Sequence, residues 1–184
     1  NLSLMEFSRD PFLNRIGLLS LKPKIIVCNV DESTLKVGNK HTRNISETYK
    51  DEKIITICAD IEDQLSSLEA DEKSKFMKEI GLEKMGINKL IKEGYDLLGL
   101  ETFFTSGKEE SRAWTVKKNT LAPVAAGVIH TDFKKNFIRA EAVDANDFIK
   151  FGSAEKCKEN GKLRIEGKDY IVKDGDVLFF RVNP

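Results

Sequence analysis

The chain carries no surplus charge: 30 Lys and Arg balance 30 Asp and Glu over 184 residues. That balance does not demand a broad polyanion-binding surface, although it leaves room for a local basic face. Cysteine is scarce and odd in number, at Cys28, Cys58 and Cys157. Two of the three lie in apolar, strand-like runs, where a reduced, buried thiol is the ordinary state. The composition therefore points to a reducing compartment rather than a disulfide scaffold. The cysteines and the two histidines, His41 and His130, show no metal-ligand spacing, so no metal is expected. There is no signal peptide, membrane span or lipidation motif, which makes the cytoplasm the expected location and removes a membrane partner. Also missing is any Gly-x-x-x-x-Gly-Lys-Ser/Thr string, the segment that cradles nucleotide phosphates and positions Mg²⁺.

What is present is a globular composition, with 33% charged and 40% hydrophobic residues. The length allows one large or two small domains, each with its own core. Residues 1–21 predict a helix ending near Ser20, with Pro23 blocking its extension. Lys24–Asn29 and Ile54–Cys58 are β-branched runs of strand length. The connection Val37–Lys53 is polar and lysine-rich; βαβ logic asks for a helix there, but periodicity gives it little support. Ile61, Leu65 and Leu68 predict a helix that Asp60 would cap. Asp71–Ile80 and Gly86–Leu98 predict two more helices, punctuated by Gly81, Gly86 and Gly99. Asp96-Leu97-Leu98-Gly99 formally matches an Asp-x-x-Gly switch, but it lies at the end of the third helix and comes after Asn29–Glu32, the wrong order, so it reads as a helix end.

From Leu100 the texture becomes that of short strands: Thr102–Thr105, Arg112–Val116, Phe137–Val143, Leu163–Glu166, Tyr170–Val172 and Val177–Val182. One helix, Pro123–His130, interrupts them. Two strands, a helix and returning strands describe a β-grasp arrangement. The expected division is therefore 1–99, an α/β part, and 100–184, an α+β part. The chain begins at Asn1 rather than Met and is expected to be the C-terminal part of a longer protein.

The chemistry concentrates at Asn29-Val30-Asp31-Glu32. A buried parallel strand that delivers an Asn and a carboxylate at its C-terminal end is how GTPase-like doubly wound domains read a nucleotide base. In the Asn-Lys-x-Asp version, the Asp accepts two hydrogen bonds from guanine, each contributing roughly 1.5–3 kcal/mol. Here Val30 stands at the Lys position and Glu32 at the Asp position. The extra methylene spoils a bidentate clamp on guanine. Adenine instead offers its N6 amine, which the Asn29 side chain or the Val30 carbonyl can accept, so ATP is expected to compete well against GTP. Cys58 and Ala59, after the second strand, would lie over the base through backbone N–H groups. The alternative is an Asx-turn at Asn29 with a solvated Glu32.

Other residues carry two readings each. His130 and Asp132 suggest an acid–base pair, or a histidine packed at a helix end. Trp114 and Phe133 read as core, or as an aromatic surface for a base. Arg112, Lys117, Lys118, Lys134, Lys135 and Arg139 form one basic face for RNA or a ribosome, or are scattered solvated cations.

The segment Asn119-Thr120-Leu121-Ala122-Pro123-Val124-Ala125-Ala126-Gly127-Val128-Ile129-His130-Thr131-Asp132-Phe133 is distinctive. Together with Asn29–Glu32, Arg112-Ala113-Trp114-Thr115 and the run from Glu166 to Val177, it closely resembles the YchF family of Obg-like ATPases, also called EngD. The resemblance runs from about Leu19 to Pro184, with Val37–Lys53 divergent. It implies the end of a P-loop GTPase-like domain followed by a ubiquitin-like β-grasp TGS domain. It also implies ATP hydrolysis in preference to GTP, with Mg²⁺, and association with the ribosome (its large subunit) and with RNA or tRNA. Asn29, Val30 and Glu32 match the family's altered base motif. The P-loop, Mg²⁺ ligand and switch residues have no counterparts here, so no catalytic residue is expected and the chain alone should be inactive. The competing reading is a free-standing RNA- or ribosome-binding module with no nucleotide dependence.

Overall fold

The computed structural model describes residues 11–19, 22–107 and 109–183. The chain forms two compact units that divide between Leu97 and Leu98. In the first, α1 (Pro11–Ile16) is followed by Gly17 in the left-handed region at φ 69°. A glycine there ends a helix without the Cβ penalty. The helix therefore stops short of the position near Ser20 that hydrophobic spacing suggested; Ser20 itself lies outside the described residues.

Strand β1 (Ile25–Asn29) pairs in parallel with β2 (Lys53–Ile57), from Ile25 opposite Lys53 to Asn29 opposite Ile57. Helix α2 (Lys40–Thr48) makes the crossover that parallel pairing requires. Its start is written in a capping box rather than in apolar spacing. The Asn39 side chain accepts from the N–H groups of His41 and Thr42 at 2.9 and 3.0 Å, while the Thr42 hydroxyl accepts from Asn39 N–H at 2.9 Å.

Helix α3 (Ala59–Ser67) begins two residues earlier than a cap at Asp60 would place it. Cys58, not Asp60, is its N-cap, and Asp60 sits in the first turn, where a carboxylate still complements the helix dipole. Cys58, Ile61 and Leu65 form the core of this unit, packed by Leu35, Leu68, Phe76, Met77, Ile80, Leu82 and Met85. Phe76 and Met77 come from α4 (Ala70–Glu79). Helix α5 (Gly86–Leu98) ends at Gly99, which has φ 63°, so Asp96–Gly99 is a helix end.

The second unit is a mixed five-stranded sheet built from β3 (Leu100–Ser106), β4 (Ser111–Lys117), β5 (Phe137–Asp144), β6 (Arg164–Glu166) and β7 (Asp176–Val182), in the order β4-β3-β7-β5-β6. The unit's first and last strands, β3 and β7, run parallel at its centre, and the other pairings are antiparallel. Helix α6 (Ala122–Ile129) is capped by Leu121 and carries Pro123 in its first turn. It lays Ala122, Ala125 and Ala126 against Phe103, Val116, Phe137, Ala140, Ala142 and Leu178. Three alanines on one face bring the helix close to the sheet.

Two details differ from the sequence reading. Tyr170–Val172 is not a strand; it makes a single antiparallel bridge, Ile171 to Leu121. Residues to which the sequence reading assigned no element form α8 (Ala145–Phe151) and α9 (Ala154–Glu159), which follow the short α7 (Thr131–Lys135). Each of these two helices is too short for periodicity to register, and each is started by a cap: Asp144 accepts from Asn146 N–H and Ser153 from Lys156 N–H.

Candidate functional site

Parallel pairing places the tips of β1 and β2 side by side, and the hydrogen-bond ladder continues one residue further, with Val30 N–H donating to the Ile57 carbonyl at 2.9 Å. Asn29, exposed at the end of β1, turns its side chain across to the second tip. Its Oδ1 accepts from Ala59 N–H at 3.0 Å. Cys58 makes no side-chain cap bond to α3, so Asn29 satisfies one of the unpaired donors at the start of that helix. The Cys58 side chain is buried in the core.

The structure thus brings together Asn29, Val30, Cys58 and Ala59. It corrects one expectation about them. The Ala59 N–H does not face outward toward a base, because it is committed to Asn29. The groups at this tip with capacity to spare are the Asn29 amide NH₂, a two-proton donor with no bond among the described residues, and the Val30 carbonyl. Glu32 opens a short 3₁₀ turn, Glu32–Thr34, and is exposed. Its neighbourhood is concave: Glu32, Leu35, Ile61, Ile80 and Leu82 line a cavity of about 630 Å³, a size ordinary for small-ligand sites.

The cationic residues do not gather in the same way. On β4, Arg112 and Trp114 share the α6-facing side of the sheet, with the guanidinium 4.4 Å from the indole centroid. Trp114 packs against the core beside Phe103 and donates from Nε1 to the Thr105 hydroxyl at 2.9 Å, so its body belongs to the core. Strand alternation turns Lys117 to the opposite side. Arg139, on β5, sits 3.6 Å from Glu141. Lys134 and Lys135 close α7, and Lys118 follows β4. Phe133 packs against the core.

His130 joins α6 to α7. Its N–H donates to the Ala126 carbonyl, and its Nδ1 accepts from Asp132 N–H at 3.3 Å. A capping role accounts for both residues. Among the described residues no group of three His, Cys, Asp or Glu side chains gathers to hold a metal ion.

A buried polar cluster escaped sequence reading. Asp176, 3% exposed, accepts from Arg164 at 2.9 Å, from the Tyr170 hydroxyl at 2.7 Å and from Lys173 N–H at 2.9 Å. Burial and the bond to Asp176 push the Tyr170 phenol up to about 12. The available signal was an aspartate at the head of the apolar run Val177–Phe180. Nearby, Glu101 has one carboxylate oxygen buried without a partner, and burial together with Asp174 raises its pKa.

Comparison with known proteins places these elements in a family. Residues 100–183 match the family model YchF-GTPase_C, described as a protein of unknown function (DUF933). Over 185 residues, the chain is 43% identical to a protein of Bacillus subtilis (strain 168) named "Ribosome-binding ATPase YchF", covering 97% of this chain and 50% of that protein. Its counterpart of the same name in Haemophilus influenzae is 46% identical, with 91% and 46% covered. The chain therefore spans about half the length of the curated relatives it matches. Among solved structures, that of the Schizosaccharomyces pombe YchF GTPase superposes with a TM-score of 0.77 at 32% identity, over 92% of this chain and 46% of the other. On this combination of sequence identity and shared fold, the chain belongs to the YchF family and carries its C-terminal module.

Proposed function

We propose that this chain is the base-recognising and ribosome-facing part of a YchF-type ATPase, which acts in the cytoplasm and hydrolyses ATP in preference to GTP. The observation that carries the nucleotide reading is the Asn29–Ala59 hydrogen bond. It fixes two strand tips side by side at the C-terminal end of a parallel pair, which is where open α/β sheets bind ligands.

There the Val30 carbonyl would accept from the adenine N6 amine, and the Asn29 amide would donate to a ring nitrogen of the same edge. Glu32 lines the adjoining cavity. Guanine presents an oxygen where adenine presents an amine, so the Val30 carbonyl would face a second acceptor; preference for ATP follows. These residues fit the base alone. The sequence has no Gly-x-x-x-x-Gly-Lys-Ser/Thr string to hold the phosphates. Mg²⁺ would arrive with the phosphates and with groups elsewhere in the intact protein, where it would neutralise charge during phosphoryl transfer. On its own, the chain binds nucleotide weakly and hydrolyses none.

The second unit is read as a TGS domain of β-grasp fold. Its central parallel pair of first and last strands, with α6 packed across one face, supports that reading. Its proposed partners are the large ribosomal subunit and RNA, including tRNA, with Arg112, Lys117, Lys118, Lys134, Lys135 and Arg139 as candidate contacts. The relatives' name, "Ribosome-binding ATPase YchF", supports the ribosome as partner.

The test is competition of unlabelled ATP and GTP against labelled ATP, on this chain and on the full-length YchF-type protein. ATP should win clearly on the full-length protein, and this chain should bind far more weakly. Strong guanine preference, or equal affinity of the two proteins, overturns the reading.

A further inference from the structure

Helices α3 and α5 each begin after a sulfur residue, Cys58 or Met85, whose side chain packs with the core. Thiol and thioether are weak acceptors, so neither serves the unpaired N–H groups of a first helical turn. Each helix start is met instead by a side chain from another element. Asn29, at the tip of β1, meets α3 at Ala59. Glu62, itself in the first turn of α3, meets α5: Oε1 accepts from Gly86 N–H at 2.6 Å and Oε2 from Ile87 N–H at 3.3 Å. A carboxylate shared between two N–H groups at a helix N-terminus gains from both the charge-assisted bonds and the helix dipole.

The start of α5 also presses on the tip of β2. A Cβ on Gly86 would lie 2.8 Å from Ile57 Cγ2 and 2.9 Å from Glu62 Oε1. Gly86 is helical and its φ is not positive, so space rather than backbone freedom requires the glycine. Ile57 is the residue whose carbonyl accepts from Val30 N–H. Glu62 lies one helical turn beyond Ala59. The first turn of α5 therefore bears on both sides of the turn that carries Cys58 and Ala59. It packs against Ile57 before that turn and is hydrogen-bonded to Glu62 after it.

We propose that Glu62 is a positioning residue for the purine: it clasps α3 to α5 and so holds the Ile57 carbonyl and Ala59 N–H where they fix Val30 and Asn29 for the base. The proposal rests on the nucleotide reading above. Glu62 acts through Ile57 and Ala59 and has no contact with the base itself. Were the clasp only a start signal for α5, it would add stability and leave nucleotide affinity alone. If it favours the bound form, bound ATP favours the clasp by the same factor. The first turn of α5, away from the strand tips, then reports on nucleotide.

The test uses the full-length YchF-type protein. Residue-resolved hydrogen exchange, with and without ATP, is followed at the amides of Val30, Ala59, Gly86 and Ile87; ATP should slow exchange at all four. Glu62→Ala should raise KM for ATP roughly fivefold with kcat unchanged, the pattern of a lost binding contribution. Glu62→Gln keeps an acceptor for Gly86 N–H and should recover most of that loss. Gly86→Ala, which displaces Ile57, should raise KM in the same direction. Circular dichroism checks that each variant folds; should Glu62→Ala or Gly86→Ala unfold, exchange in the wild-type protein decides. A Glu62→Ala protein that melts lower but keeps the wild-type KM overturns the proposal. So does ATP protection of Val30 and Ala59 without protection of Gly86 and Ile87, a result that leaves the nucleotide reading standing. Protection at none of the four overturns both.

Discussion

Asn29 and Ala59 are joined by a 3.0 Å hydrogen bond across a separation of 30 residues, from a strand tip to the first residue of a helix. The side chain of a strand residue thereby does what the N-cap residue, Cys58, does not. The bond holds the two tips in register beyond the end of the ladder. It also fixes which atoms of Asn29 remain for a ligand: Oδ1 is engaged, and the amide NH₂ is turned to other use.

Two substitutions at Asn29 separate these roles. Asn29→Ala removes the acceptor and should cost about 1–2 kcal/mol of stability, read by urea unfolding of this chain. Asn29→Asp keeps an acceptor for Ala59 N–H, and its charge suits a helix N-terminus. It should unfold close to wild type, yet weaken ATP binding in the full-length protein because the NH₂ donor is gone. Unimpaired ATP binding in Asn29→Asp would show that Asn29 only braces the two tips.

The capping box at the start of α2 yields a second expectation. Asn39→Ala should cost about 1 kcal/mol, since it leaves two helix N–H groups without their side-chain acceptor. Gly38→Ala should cost at least as much. Gly38 has φ +68°, and a Cβ there would meet the Thr42 hydroxyl at 2.9 Å. Thermal melts of the two variants check both figures; a neutral Gly38→Ala would mean that the box is loose enough to shift.

What was legible in the sequence follows the physics of each element. Ile25–Asn29 and Lys53–Ile57 announce themselves because each is a short, nearly continuous β-branched apolar run, although Val27 is left exposed. Helix α5 announces itself because Ile87, Leu90, Ile91, Tyr95 and Leu98 repeat on one side over thirteen residues. Helices α2, α8 and α9 were not legible by period, since each is defined by its cap and is only two turns long or so. At the strand tips, Asn29 was singled out by its place after an apolar run. Its bond to Ala59 was not, because nothing local records a contact thirty residues away. Asp176 was missed for the same reason: its partners Arg164 and Tyr170 come from other segments.

Glu101 should be a destabilising residue at neutral pH. Burial, with Asp174 and Asp176 adding to it, raises its pKa above the ordinary 4.5, and Oε1 has no hydrogen-bond partner. A carboxyl whose folded-state pKa is raised stabilises the fold while protonated, and that contribution is lost as pH climbs through the raised value. Glu101→Gln abolishes the charge at all pH values. Its melting temperature should therefore exceed wild type at pH 7, with the gain shrinking toward about pH 4, where Glu101 is itself protonated. A gain that persists undiminished at low pH would place the cause in packing rather than charge.

Tyr170 and Asp176 predict an alkaline limb. The Tyr170 phenol is raised from 10.0 to about 12, first by burial and then by its bond to the Asp176 carboxylate. Between those two values the unfolded chain has released the phenolic proton and the folded one still holds it. The folded state therefore binds more protons, and stability falls as pH rises. The contribution is complete below about pH 10 and is lost on approaching about pH 12. A difference titration of tyrosinate absorbance between wild type and Tyr170→Phe should place one ionisation near the upper value, and Tyr170→Phe should flatten the alkaline decline. Asp176→Ala should do more harm at neutral pH, on the order of 2–3 kcal/mol. It strands the Tyr170 hydroxyl and the Lys173 N–H, while Arg164 keeps enough contact with water to limit the cost. If the ionisation removed by Tyr170→Phe lay near 10 instead, the phenol would not be held by Asp176, and β7 would be anchored through Arg164 and the Lys173 N–H alone.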